Sequence, residues 1–191
     1  VADETQSIDR RVQRTRRSLR DALISLLVER GWDDINIQEL CERADVGRST
    51  FYMHFQSKDQ LLVSGFDDLR AALRAQAVIA NTGASGSLPF VRGLIEHAYE
   101  QRILFRAIIG RRSGHAVQKR FREMVSQLVE EDVAHLVAAG WRRDAGVSYI
   151  AGALVELLAW WVDAVNGCAM DDVEQLFNEL TLPVIRQLEG R

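Results

Sequence analysis

Residues 34–60 read DINIQELCERADVGRSTFYMHFQSKDQ, and the pattern is that of two short helices joined by a tight turn, followed at once by a third helix. Asn36 stands where it can cap the first helix, with Glu39 three residues on to complete a capping box. Ile37, Leu40, Cys41 and Ala44 then recur at helical spacing, which makes one face of that helix apolar and small. Asp45-Val46-Gly47 interrupts it, and Val46 is the apolar residue expected to plug the space between the helices. The second helix, 48–55, hides Phe51 and Phe55. Arg48, Ser49, Tyr52 and His54 are left facing outward, with Thr50 near the boundary. Ser57 with Gln60 forms a second capping box and sets Lys58 in the first turn of the next helix.

This geometry is a helix-turn-helix, in which a short first helix supports a second whose exposed side chains reach base edges. The outward residues suit the task. Arginine binds guanine O6 and N7 in a bidentate manner, serine and threonine serve either base or phosphate, and the threonine methyl can touch that of thymine. Tyrosine, histidine and lysine bind backbone oxygens and fix register. The plainer alternative makes Phe51, Tyr52 and Phe55 simple core of an all-α protein and Arg48 a solvated charge. Phe51 and Phe55 are core under either reading.

The run Phe51-Tyr52-Met53-His54-Phe55-Gln56-Ser57-Lys58-Asp59, behind the Ala44-Asp45-Val46 turn, resembles the DNA-binding domain of the TetR family of bacterial transcriptional regulators. The resemblance implies that Arg48, Ser49, Thr50, Tyr52 and His54 face DNA from the recognition helix. It implies that Lys58 binds phosphate and that Gln38 reaches DNA from the supporting helix, with Asn36 beside it at the helix start. Two positions depart from the family's usual pattern: Asp45 stands where the turn commonly has glycine, and Gly47 where serine often caps the recognition helix. Aspartate tolerates a left-handed conformation and glycine is an acceptable N-cap, so the fold is expected to survive both. One phosphate contact is expected to be lost with the serine hydroxyl.

At 191 residues, the chain is long enough to bury about 70% of its unfolded surface. Its net charge of -3 excludes a uniformly basic nucleic-acid binder, but six arginines and no acid lie between Arg10 and Arg20. Arg10, Arg14 and Arg17 share a helix face, either solvated or gripping phosphate without regard to sequence. Cys41 and Cys168 are expected to be free thiols in a reducing cytoplasm. No apolar run is expected to reach the roughly 20 residues of a membrane span, and no signal peptide is evident. With Val1 in place of Met, the true start is expected to be missing or processed.

In chain order, residues 1–9 are expected to be disordered, and a helix over 10–30 carries Leu19, Ala22, Leu23, Leu26 and Leu27 on one face, with Gly31 as its stop. Trp32 is expected to pack against it. A helix over 58–81 connects the helix-turn-helix domain (10–57) to a helical domain (82–191). Residues 81–88, NTGASGSL, read as a loop. Helices are expected over 88–110, 115–139, 146–166 and 171–188, separated at Gly114, Gly140 and Gly167. The fold class is all-α.

The second half shows no catalytic constellation. His97, His115 and His135 lack metal-ligand spacing, and no glycine cluster cradles a phosphate. Neither metal, cofactor nor enzymatic activity is expected. Aromatics are spread over every helix, and those placed to line a ligand cavity are Phe66, Phe105, Phe121 and Trp160, with Leu69 and His97 beside them. Plain packing is the alternative for each. Residues 154–162 are apolar nearly all round, so this helix is expected to be buried on two sides. Val155 is placed on its outer face, and Ala151, Gly152 and Ala153 are placed for close approach.

Residues 102–108 and 157–161 are similar to a TetR subgroup that includes dihydroxyacetone-kinase regulators. That resemblance implies dimerisation through the last two helices and often a small-molecule effector. The expected function is a homodimeric, cytoplasmic repressor on a palindromic double-stranded DNA operator. Its rivals are a regulator governed by a protein partner or by no ligand, and a helical interaction module that has lost DNA binding.

Overall fold

The structure, a computed structural model, describes residues 2–80, 88–110, 114–163 and 167–189. Among them all regular structure is helical: α1 (Ala2–Arg30), α2 (Ile37–Ala44), α3 (Arg48–His54), α4 (Lys58–Ala80), α5 (Phe90–Glu100), α6 (Arg102–Ile109), α7 (His115–Val133), α8 (Trp141–Asp163) and α9 (Met170–Glu189). Two compact units, Val1–Gly65 and Phe66–Arg191, divide within α4.

In the first unit the expected stripe of α1 is the core. Leu19, Ala22, Leu23, Leu26 and Leu27 are buried, and Trp32, Ile35, Leu40, Phe51, Phe55 and Leu61 join them. Helix α1 starts at Ala2 and not at Arg10, because no glycine or proline breaks the polar segment before it. It ends at Gly31, whose φ of +82° is a conformation that a side chain resists. An ion pair fixes α2 on α1: Arg43 reaches both carboxylate oxygens of Glu29, at 2.7 and 2.8 Å, and the Ser25 hydroxyl. The guanidinium holds the Glu29 carboxyl down to about 2.

The second unit is organised around α8, which packs on α5, α6, α7 and α9. By length and composition α8 is apolar enough to cross a membrane, with a mean hydropathy of 1.5, contrary to expectation. Half of that window is buried inside the protein, so the apolar run is accounted for as core. Val147, Ile150, Ala151, Leu154, Leu158, Trp161 and Val162 are all buried. Val155 is buried too, only 5% exposed, and does not lie on the outer face. The outward positions are instead Tyr149, Ala153, Glu156 and Trp160.

Several helix ends differ from expectation. The helix expected over 88–110 is two, meeting at Gln101, whose φ of -107° and ψ of 35° are not helical. No glycine or proline announces that break. Helix α7 stops at Val133, and α8 begins at Trp141, ahead of residue 146. Helix α9 continues through Pro183, which is exposed, so water can take up the carbonyl that its missing N–H leaves. The loop expected over 81–88, apart from Leu88, lies outside the described residues, as does the 164–166 end of the expected helix.

Arginines tie the helices together. Arg102 and Arg106 of α6 donate to the Val162 carbonyl at 2.9 and 2.7 Å, so the open C-terminal end of α8 is capped from the side. Arg92 of α5 binds Glu174 at 2.8 Å and also Asp171, both on α9. Arg74 of α4 binds Glu131 at 2.7 Å, Asp132 and the Leu128 carbonyl, all on α7. Burial raises the Asp132 carboxyl despite that arginine. Gly110 ends α6 where a β-carbon would collide with the Arg106 carbonyl oxygen.

A row of rings fills the middle of this unit. His97 meets Phe105 at 5.7 Å, Phe105 meets Phe121 at 5.7 Å, and Phe121 meets Phe66 at 5.8 Å between centroids. Burial pushes the His97 imidazole below its ordinary range, and only Glu100 opposes it. A histidine depressed in the folded state binds its proton more readily when unfolded, so stability falls as pH drops below the unfolded value of about 6.5. Denaturant unfolding of the wild type between pH 7.5 and 5.5 is expected to show this loss. In His97→Gln the slope over that interval should flatten.

Candidate nucleic-acid interface

The outward face of the helix-turn-helix rests on its turn. Asn36 accepts the Glu39 N–H at 2.9 Å and so caps α2 as expected. The box is only half made, because the Glu39 carboxylate turns to Arg30 at 2.7 Å. At the other end Asp45 is left-handed, with φ 53° and ψ 47°. Its N–H bonds to the Glu42 carbonyl and that of Val46 to the Cys41 carbonyl, at 3.3 and 3.0 Å, which is the Schellman arrangement. Aspartate therefore does what glycine commonly does at such a position. Gly47 then caps α3 in an extended conformation without any side-chain bond. At the start of α4, Ser57 accepts the Gln60 N–H at 3.1 Å, and the Gln60 side chain reaches back to the Gln56 N–H at 2.6 Å.

Helix α3 is held by Phe51 and Phe55, which are 0% and 2% exposed with rings 6.1 Å apart. Arg48 and Ser49 are exposed, and Tyr52 and Met53 are 51% and 80% exposed. Thr50 and His54 are half-buried at the flanks of this stripe. Met53 was not among the residues expected to face DNA. Its helical position one residue after Tyr52 was the available signal, and its apolar type hid it. An exposed thioether here is suited to touching a thymine methyl. Beside the stripe, α2 and α3 leave a cleft of about 460 Å³ lined by Gln38, Glu42, Asp45 and Arg48 among others. The Gln38 amide is oriented by a bond to Glu42 at 3.0 Å.

Lys58 opens α4 as expected, and its ammonium is already engaged by the frame. Its ammonium donates to the Trp32 and Ile35 carbonyls, both at 2.8 Å, and lies 4.5 Å from the centre of the Trp32 ring. Burial lowers its pKa, opposed by Asp33 and Asp34. Two of its three N–H bonds thus close the α1–α2 loop, and one remains for any phosphate. Of the arginines on α1, Arg10, Arg14 and Arg17 are exposed, whereas Arg16 lies over the Phe55 ring at 5.2 Å.

The residues expected to line a ligand cavity are not gathered in one place. Phe66, His97, Phe105 and Phe121 form the row of rings, and Leu69 is half-buried on α4. Trp160, 51% exposed, lines a separate cleft of about 750 Å³ with Gln118, Arg122 and Glu156. Tyr99 stacks instead on Trp161, with centroids 6.0 Å apart.

Replacing Lys58 with methionine removes the partner of two loop carbonyls and should cost about 1–3 kcal/mol of stability. Arg48→Ala, on the exposed stripe, should change it by less than about 0.5 kcal/mol. Chemical denaturation of the two variants checks the contrast.

Residues 19–64 match the family described as bacterial regulatory proteins, tetR family. Over 61 residues the chain is 36% identical to the uncharacterized HTH-type transcriptional regulator YxbF of Bacillus subtilis (strain 168). That alignment takes in 31% of this chain but only 16% of the relative's length. In fold the chain is similar to a TetR transcriptional regulator from Streptococcus agalactiae 2603V, with a TM-score of 0.67, 23% identity and coverage of 93% of this chain and 98% of that one. It is also similar to Thermus thermophilus FadR, a TetR-family transcriptional repressor solved with lauroyl-CoA, with a TM-score of 0.60, 18% identity and coverage of 87% and 93%. Residues 19–64 thus carry a DNA-binding domain similar to that of the tetR family, and the chain as a whole shares the all-α fold of these solved regulators.

Proposed function

We propose that the protein is a homodimeric, cytoplasmic repressor that binds a palindromic double-stranded DNA operator and leaves it when a small molecule binds the second unit. The observation that carries this reading is the α3 stripe. Arg48, Ser49, Tyr52 and Met53 stand outward over a helix whose other side is anchored by two buried phenylalanines. Arg48, Ser49 and Thr50, at the start of the helix, are assigned to base edges, as the N-terminal residues of recognition helices commonly are. Tyr52, His54, Gln38 and Asn36 are assigned to the flanking backbone, with the last N–H of Lys58. The exposed Arg10, Arg14 and Arg17 add a sequence-independent hold on phosphate.

Dimerisation is supported by two outward stripes at matching spacing. On α8 these are Tyr149, Ala153, Glu156 and Trp160, and on α9 Leu176, Leu180, Pro183 and Gln187. Leu180 and Tyr149 are 66% and 63% exposed, which is high for large apolar groups on packed helices. A symmetric four-helix seam covers both stripes at once, and each residue acts twice in it. Two recognition helices held about 34–36 Å apart match half-sites one helical turn apart. Release by a ligand needs only that it favour a different spacing. The repressor activity and the lauroyl-CoA in the FadR structure belong to that protein. They support release by a ligand here only by analogy of fold.

Binding-site selection on random duplex DNA, followed by titration, tests the reading. Arg48→Ala is expected to lose about 1–3 kcal/mol on the selected site and to relax preference at one base pair. A loss spread evenly over all sequences would remove Arg48 from the base readers. Leu180→Glu should convert the dimer into a helical monomer in sedimentation and lower operator affinity by a factor on the order of 100. A Leu180→Glu protein that stays dimeric would place the seam elsewhere.

A further inference from the structure

The inner aromatics contact one another ring to ring, so they fill the space a ligand would need. The roomier place is the cleft of about 750 Å³ bordered by α6, α7 and α8. Ile109, Val155 and Trp160 supply apolar lining, and Gln118, Arg122, Glu156 and Asp163 supply polar groups. Two of these residues, Glu156 and Trp160, also belong to the outward stripe of α8. We propose that this cleft is the effector site, that a second copy of the chain closes it, and that it takes a flat aromatic compound bearing a hydrogen-bond donor and no negative charge. The inference rests on the dimer reading given above.

Four features carry the ligand class. The volume lies within the roughly 300–1,000 Å³ of ligand sites. Trp160, 51% exposed, offers an indole face on which a flat ring can stack. Each lining carboxylate is already paired, Glu156 with Arg122 at 3.1 Å and Asp163 with Arg106 at 3.6 Å, so an anion meets no uncompensated positive charge there. Carboxylates accept and do not donate, so a hydroxyl or N–H on the ligand is their complement. Arg122 already bridges to Glu156 at 3.1 Å, joining α7 to α8 across the cleft. A compound wedged beside that pair touches the seam itself. It therefore binds the dimer better than the monomer, and it releases the operator through the difference between the seam geometry it fits and the one that matches the half-sites.

The probe is 2-naphthol, with 2-naphthoate as its anionic counterpart, titrated calorimetrically into the full-length dimer. Saturable binding of 2-naphthol is expected, with 2-naphthoate at least about tenfold weaker. Gln118→Leu and Trp160→Leu should each weaken 2-naphthol at least about tenfold. Gln118 is off the outward stripe, so it remains informative if Trp160→Leu disturbs the seam. Sedimentation equilibrium supplies the second readout: saturating 2-naphthol should strengthen dimerisation of the wild type. No binding, equal binding of the two probes, binding indifferent to both substitutions, or an unmoved monomer–dimer equilibrium would each overturn the inference. If any of these occurs in a protein that still dimerises and binds its operator, only the cleft assignment falls. A wild type that sediments as a monomer overturns the dimer reading and this inference with it.

Discussion

Helix α3 has only seven residues, far below the length at which a helix persists alone in water. Everything it presents therefore depends on the burial of Phe51 and Phe55 beneath it. Two buried phenylalanines contribute several kcal/mol by area, on the order of 1.5–3 each. The same burial orients the opposite side, so Arg48, Ser49, Tyr52 and Met53 face outward as a consequence of packing. The left-handed Asp45 completes the constraint, since the Schellman bonds leave the chain only one exit from α2.

Around that centre, charged groups serve the frame as much as the surface. Arg43 is committed to Glu29 and Ser25, and Arg16 to the Phe55 ring. Lys58 is committed to two loop carbonyls. Exposed ion pairs of this sort contribute little each, about 0–1 kcal/mol, so their value lies in fixing register between helices. The carbonyl bonds of Lys58 are different, because a buried carbonyl without a partner is costly. A residue whose type suggests a phosphate ligand thus has a structural duty first.

The second unit repeats the pattern on a larger scale. Helix α8 is apolar around most of its circumference because four other helices pack on it. Its C-terminal carbonyls are taken up by Arg102 and Arg106, so α6 and α8 are locked at that end. Among what remains outside are one stripe on α8 and one on α9, with the large cleft bordering the first. The dimer seam and the ligand site proposed above meet at Trp160 and Glu156.

Much of this was legible in the sequence. Helical periodicity identified the α1 core stripe, and the spacing of Phe51 and Phe55 identified the anchored side of α3. Asn36, Ser57 and Gly31 marked helix ends because capping is a local interaction, readable over three or four residues. The resemblance of residues 51–59 to one family rested on the same short stretch. What only the tertiary structure decided depended on contacts between residues far apart in the chain. Lys58 turns inward because Trp32 and Ile35 offer carbonyls there. Glu39 leaves its capping box because Arg30 competes for it. The break at Gln101 has no local signal, and Val155 is buried because α8 has neighbours on more sides than periodicity can count. Composition told that α8 is apolar; only packing tells which of its residues are core and which remain exposed.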